Sequence, residues 1–241
     1  PTHLWHNEQH IELPQHKGYR PRQPRAYDAD GRFTGNGMAD PSRMRYAFDV
    51  YADASRAFIR EHADEPMFVY LAYTPPHGVL VAPHLGPYAH LDWPTIEHKE
   101  WAAMITHMDA EVGRLVRLLR ELDIYENTLI FFCSDNGYSP FDAIPDEKRQ
   151  AGAPDLDGFF HHRGPFRGGK GDLHEGGLRV PALAHWPAKI HSARESDLAW
   201  AFWDLLPTAA ALAGADDVPP TDGLSIAATL LGEETEQPEH D

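Results

Sequence analysis

Thr128-Leu129-Ile130-Phe131-Phe132-Cys133 runs without interruption into Ser134-Asp135-Asn136-Gly137. A short apolar run bounded by turn residues reads as a buried strand. Asn136-Gly137 then turns the chain away. A buried strand holds its own C-terminal end in place, so Asp135 and Asn136 can offer oxygen ligands to a hard cation such as Ca2+ or Mg2+. A solvent-exposed Asp-Asn-Gly turn without chemistry is the other reading that these residues allow.

Outward from this strand the pattern alternates. Upstream, Phe48, Tyr51, Ala54 and Phe58 fall at helical spacing and predict a helix from Tyr46 to His62, ending near Asp64-Glu65-Pro66. Met67-Phe68-Val69-Tyr70-Leu71-Ala72-Tyr73 is apolar on both faces, as an interior strand of a covered sheet would be, and it stops at Thr74-Pro75-Pro76-His77. A second helix is predicted from Thr95 to Leu122. Its stripe is Trp101, Met104, Ile105, Met108, Leu115, Leu118, Leu119 and Leu122, with charge on the other face. Downstream, Tyr138–Gly171 is a polar, Gly/Pro-rich connection longer than most, a length usually reserved for function or disorder. A strand at Val180–Trp186 and a helix at Trp200–Leu212, with Asp204 and Pro207 inside it, complete the series. Helix, strand, helix, strand predicts an α/β protein, with a mixed and largely parallel sheet flanked by helices. Residues 1–45 read as irregular and loop-rich with room for one short hairpin, 46–213 as the α/β core portion, and 214–241 as the start of a C-terminal subdomain.

Composition narrows the partners. With 241 residues, 42% of them apolar, the chain can bury one substantial core. A formal charge of -16 opposes binding to nucleic acid or an anionic membrane, so any anion site must be local. Cys133 is the single cysteine, which excludes an internal disulfide and leaves the compartment open. No stretch reaches the apolar length of a membrane span, and both ends read as cut from something longer.

Three segments invite chemistry. His77 follows a predicted strand just as Asp135 does, and an α/β sheet would bring both to one edge; a turn residue is the plainer reading of a His after two prolines. Gly164-Pro165-Phe166-Arg167-Gly168-Gly169-Lys170 has the spacing of a nucleotide-binding P-loop. It lacks the context: Gly171 replaces the Ser or Thr that would hold Mg2+, no buried strand precedes it, and Gly176-Gly177 comes too soon for a good helix. A lysine among glycines still suits an anion, because the backbone can approach closely beside a compact positive charge. His161, His162 and His174 are the nearest histidine cluster, but neither a His-Glu-x-x-His helix nor a cysteine pair supports zinc.

Ser134-Asp135-Asn136-Gly137, together with Phe166-Arg167-Gly168-Gly169-Lys170-Gly171-Asp172-Leu173-His174-Glu175-Gly176-Gly177-Leu178-Arg179-Val180-Pro181, closely resembles the formylglycine-dependent sulfatases of the alkaline phosphatase-like superfamily. Leu71-Ala72-Tyr73-Thr74-Pro75-Pro76-His77 is similar to the segment whose histidine touches the sulfate in that family. The likeness extends through the helix from Thr95, Trp186-Pro187-Ala188-Lys189-Ile190 and Asp222-Gly223-Leu224-Ser225, and so covers nearly the whole chain from Leu4.

The resemblance implies an alkaline phosphatase-like fold, incomplete at its N-terminus, and a sulfuric ester hydrolase acting on a sulfated small molecule or carbohydrate. It implies that Asp135 and Asn136 are ligands of an active-site Ca2+ or Mg2+, and that His77 and Lys170 contact the sulfate. The family's nucleophile is a hydrated formylglycine made from Cys or Ser. Its motif is Cys or Ser, any residue, Pro, Ser or Ala, then Arg. The nearest match is Ala39-Asp40-Pro41-Ser42-Arg43, with alanine at the reactive position and too close to the His77 strand. That match reads as coincidence, so the nucleophile is expected upstream of this chain and the isolated chain is expected to be inactive. A phosphoric or phosphonic ester hydrolase of the same superfamily and a non-catalytic anion-binding protein are the alternatives. Periplasmic or secreted localisation follows only from the family likeness. In the long connection, Phe141, Phe159, His161 and His162 are candidates to meet a sugar or aromatic ring.

Overall fold

Helix α1 spans Ala47–Glu61 and helix α2 spans Ile96–Glu121, within two residues of where the apolar spacing puts them. On α1, Phe48, Ala52 and Ile59 are buried at helical intervals, with Asp49 in the first turn and Arg60 in the last to complement the helix dipole. Asp123, with a φ of 61°, takes the left-handed conformation that ends α2. The computed structural model describes residues 3–12, 27–34, 45–78, 80–139, 156–161, 164–233 and 240. They belong to two units, Pro1–Leu122 with Asp135–Val180, and Asp123–Ser134 with Pro181–Asp241. No helix among the described residues is long and apolar enough to cross a membrane.

The core of the first unit gathers Leu80, Ala82, Leu85, Ala103 and Met104, with Tyr27, Trp101 and Phe160 packed against them. Phe48 is also buried and meets Tyr73 edge-on at 4.8 Å. The charged residues of α2 depart from the expected outward face: Glu97, Glu100 and Glu111 are buried. Glu100 Oε1 accepts from the Tyr27 hydroxyl at 2.7 Å. Glu111 accepts from Arg56 and from Arg114 Nε, the latter at 2.6 Å. A single apolar stripe is not enough to predict burial here, because residues on several sides of this long helix are covered and paired guanidinium groups make a buried carboxylate tolerable. Glu111→Ala leaves Arg56, whose side chain is only 17% exposed, with Asp53 alone. Urea unfolding should show a loss of about 3 kcal/mol, the low end for removing one partner of a buried pair, since Asp53 still meets Arg56.

Strands β1 (His3–His6) and β2 (Gln9–Glu12) form an antiparallel hairpin, with Asn7 at a φ of 54° in its turn. This is the hairpin for which the N-terminal region has room. Strands β3 (Ile130–Cys133) and β4 (Ala182–His185) lie where the apolar runs predict them. Their pairing is antiparallel, with Ile130 opposite His185 and Cys133 opposite Ala182, and Tyr125 Oη lies 2.7 Å from His185 Nε2. The expected largely parallel sheet is therefore corrected: the described strands make two two-stranded antiparallel sheets within a mixed helix and sheet protein. Residues 67–73 are also corrected. They join no ladder among the described residues, and their faces are unequal, because Phe68 and Tyr70 are 74% and 78% exposed while Met67, Val69, Leu71 and Tyr73 are half-buried.

In the second unit the predicted helix at 200–212 begins later than its periodicity indicates. A 3-10 turn covers Phe202–Asp204, and α4 runs Leu205–Ala213 with Pro207 in its first turn, where a missing N–H costs no intrahelical bond. Asp204 is buried, and its carboxylate accepts from Ala201 N at 2.8 Å and from Leu224 N at 2.7 Å, with His240 Nε2 also 2.7 Å away. Thr208 Oγ1 donates to Asp204 O, and Ile226 N donates to Thr208 Oγ1. Burial pushes the Asp204 pKa up, but the two backbone N–H groups and His240 outweigh it and hold the carboxyl below its ordinary 3.8. A depressed folded value stabilises the fold fully above the unfolded pKa, and this contribution is lost as pH falls through the folded one. Urea unfolding at stepped pH should therefore show stability falling below pH 3.8, and Asp204→Asn should remove that part of the acid dependence.

Candidate active site

The Asp135-Asn136-Gly137 turn leaves β3 and enters a close glycine contact. Gly137 N–H donates to Gly177 O at 3.0 Å, and a Cβ at residue 137 would stand 2.0 Å from Gly176 O. On the far side of that contact, Gly176 N–H donates to Arg167 O at 2.8 Å, and Lys170 N–H donates to Tyr138 O at 2.6 Å. These bonds tie the predicted metal-ligand turn to the predicted sulfate-contacting loop, so Asp135, Asn136 and Lys170 are brought into one neighbourhood. Asp135 is exposed, whereas Asn136 and Lys170 are half-buried. Asn136 Nδ2 donates to Gly137 O at 3.1 Å, which commits the amide end of that side chain to the turn.

The Lys170 loop is built around an aspartate that motif reading does not single out. Asp172 Oδ2 accepts from Gly169 N–H at 3.0 Å, and Asp172 N–H donates back to Gly169 O at 2.9 Å. Gly168, with a φ of 81°, takes the left-handed conformation that opens this turn. The P-loop spacing thus has a different physical meaning here: the chain's own carboxylate occupies the Gly169 amide that a nucleotide phosphate would seek. An Asp two residues beyond a lysine in a Gly-rich run is the available signal, since Asp side chains readily bond nearby backbone. Helix α3, Glu175–Leu178, is only one turn long, in keeping with Gly176-Gly177. The Arg179 guanidinium lies 5.1 Å from the Phe166 ring centre and 3.4 Å from Glu175, closing the loop's other end.

His77 is carried on a separate turn. Its N–H donates to Thr74 O at 2.9 Å, and its ring Nδ1 lies 2.7 Å from Gly78 O. A carbonyl accepts only, so Nδ1 carries the hydrogen in this contact. Of the residues considered for ring recognition, Phe159 packs against Trp93 at 5.1 Å and His98 at 4.8 Å, which makes it part of an aromatic cluster. His161 is exposed, with a φ of 52°. Phe141, His162 and the Ala39–Arg43 segment lie outside the described residues.

A carboxylate and an amide oxygen are donors of the kind that Ca2+ or Mg2+ takes, but Ca2+ wants about six to eight oxygens. Among the described residues, no group of three or more His, Cys, Asp or Glu comes together that could hold a metal ion. Asp135 and Asn136 therefore suit part of a cation shell and do not by themselves complete one.

The sulfatase family model matches residues 2–215. This chain belongs to the sulfatase family. The sulfatase chain is 34% identical over 191 residues to N-acetylgalactosamine-6-sulfatase of Canis lupus familiaris, covering 76% of this chain and 32% of the relative. To human arylsulfatase A it is 34% identical over 195 residues, covering 78% and 32%. It is also similar to the solved structure of Ps i-CgsB in complex with k-i-k-neocarrahexaose, with 31% identity and a TM-score of 0.65 over 79% of this chain and 40% of that one. To the PsFucS1 sulfatase from Pseudoalteromonas sp. it shows 27% identity and a TM-score of 0.54 over 79% and 35%. The sulfatase chain thus spans about a third of the length of the curated relatives it matches.

Proposed function

We propose that this chain is the later portion of a sulfatase catalytic domain whose whole protein hydrolyses a sulfate ester. The observation that supports this reading best is the tie between two separated segments: Gly137 bonds Gly177 and Tyr138 bonds Lys170, so a pair of oxygen donors and an ammonium group share one neighbourhood in a chain of the sulfatase family. In this reading Asp135 and Asn136 supply two ligands to a Ca2+ or Mg2+, completed by oxygens from outside the described residues. When bound, the cation would neutralise charge on the ester's non-bridging oxygens. Lys170 stabilises the same anion, and its ammonium suits that task as a compact point charge. His77, with Nδ1–H directed at Gly78 O, works through Nε2, donating a proton toward the departing oxygen. A formylglycine upstream of residue 1 is the proposed nucleophile. The substrate class is a sulfated small molecule or carbohydrate, as the names of several relatives indicate for those proteins.

The test takes the native gene product and the 241-residue chain side by side. The native product should carry a formylglycine in an upstream peptide and should turn over an aromatic sulfate faster than the matching phosphate, while the 241-residue chain should turn over neither. Robust turnover by the 241-residue chain, or a native product that prefers the phosphate ester, would contradict this reading.

A further inference from the structure

The chain approaches the Lys170 loop from a short helical turn, Leu156–Phe160, whose last two rings are held by residues far upstream. Phe159 meets Trp93 at 5.1 Å and His98 at 4.8 Å, and Phe160 meets Trp93 at 5.6 Å and Trp101 at 5.0 Å. His98 is 1% exposed, and Phe160 packs against the core of the first unit. Aromatic pairs at these separations attract beyond the area they bury, so this end of the long connection is anchored. His161 follows at once. It is exposed, and its φ of 52° lies in the left-handed region that glycine takes freely and a side chain with a Cβ takes at a cost. Its carbonyl accepts from Gly164 N–H at 3.0 Å, and Gly164, with a φ of 61°, continues the turn. An exposed histidine on an anchored turn, in a conformation better suited to glycine, points to a use for the imidazole other than stability.

We propose that His161 is a specificity residue that hydrogen-bonds the carbohydrate portion of a sulfated substrate, and that Phe160 positions it by holding the turn on Trp93 and Trp101. This rests on the reading of the whole protein as a sulfatase acting on a sulfated carbohydrate. A neutral imidazole donates from one nitrogen and accepts at the other, which suits a pair of sugar hydroxyls. Reach is sufficient. His161 lies nine positions before Lys170, so even a fully extended chain would separate them by roughly 30 Å, and the turns at 161–164 and 168–172 shorten that. An oligosaccharide held by its sulfate at Lys170 can span what remains. Phe160 is committed to the cluster, and the exposed imidazole is the group that this turn offers a ligand.

Kinetics of the native gene product test this, with an aromatic sulfate and a panel of sulfated galactan and glycosaminoglycan oligosaccharides as substrates. His161→Gly should lower kcat/KM for the best oligosaccharide about 10-fold relative to the aromatic sulfate, chiefly through KM, while the urea midpoint stays equal to wild type or rises. His161→Asn, which keeps a donor and an acceptor and tolerates the left-handed backbone, should recover most of the loss. Phe160→Ala, or Phe160→Leu if the alanine variant does not fold, should also raise that KM. Adding it to His161→Gly should cost nothing further, because both substitutions act on one contact. An unchanged KM in His161→Gly, an equal loss on both kinds of substrate, or additive losses in the double variant overturns the proposal. So does turnover of the aromatic sulfate with none of the oligosaccharides. No turnover of any sulfate ester removes the hydrolase reading itself, whereas turnover of both kinds with an unchanged KM removes this proposal alone.

Discussion

Replacing Gly137 with alanine should destabilise the fold by about 3 kcal/mol, the upper part of the usual range for overpacking. The new Cβ would stand 2.0 Å from Gly176 O and 2.8 Å from Gly177 Cα, and both are backbone atoms that no rotamer change can move. Relief requires the 135–138 turn and the 176–177 segment to separate, which breaks the Gly137–Gly177 bond and strains the Lys170–Tyr138 bond beside it. Gly113→Ala is the matching control. It lies inside α2, where a Cβ meets only Arg117 Nη1 at 3.6 Å, and it should raise stability by about 0.5–1 kcal/mol through helix propensity. Urea unfolding of both variants checks the pair. A Gly137→Ala midpoint equal to wild type would mean that the two loops are not packed as described.

Lys170→Ala in the native gene product should lower kcat/KM for a sulfate ester by about 10²–10³-fold, the usual cost of removing one preorganised group that stabilises developing charge. Lys170→Arg should recover only part of the loss, since a planar fork does not replace a point charge held beside a short turn. The backbone of residue 170 is fixed by its bond to Tyr138 O and the 168–169 turn by Asp172, so the substitution changes the charge while the loop's anchors remain. A kcat/KM within about threefold of wild type would remove Lys170 from the proposed chemistry.

Much of the local structure can be read from the chain because its causes are local. The ends of α1 and α2 follow from apolar spacing and from the residues that flank it. The positions of β3 and β4 follow from apolar runs bounded by turn residues. The site was legible as motif, and the packing gives those motifs a physical reason: Gly137 needs a glycine because Gly176 O leaves no room for a Cβ, and Gly176-Gly177 must be small because the carbonyls of residues 167–169 and 172 press against them. Asp172 holds its own loop, and the Asp two residues beyond Lys170 in a Gly-rich run is the only local signal of that role. Phe159 is a candidate for ring recognition by its place in a polar connection, and its neighbours Trp93 and His98 come from far along the chain, where no local pattern points to them.

Helix and strand positions, the two chemical segments around Asp135 and Lys170, and the acidic balance were determined by the sequence itself, since each depends on residues a few positions apart. Tertiary structure alone decided the antiparallel pairing of β3 with β4, the burial of Glu100 and Glu111, and the meeting of Gly137 with Gly177. It also left residues 67–73 outside any ladder among the described residues. A β-strand's partner, a buried charge's counter-ion and a glycine's opposing carbonyl are all supplied from far along the chain, and periodicity carries no information about which distant segment arrives.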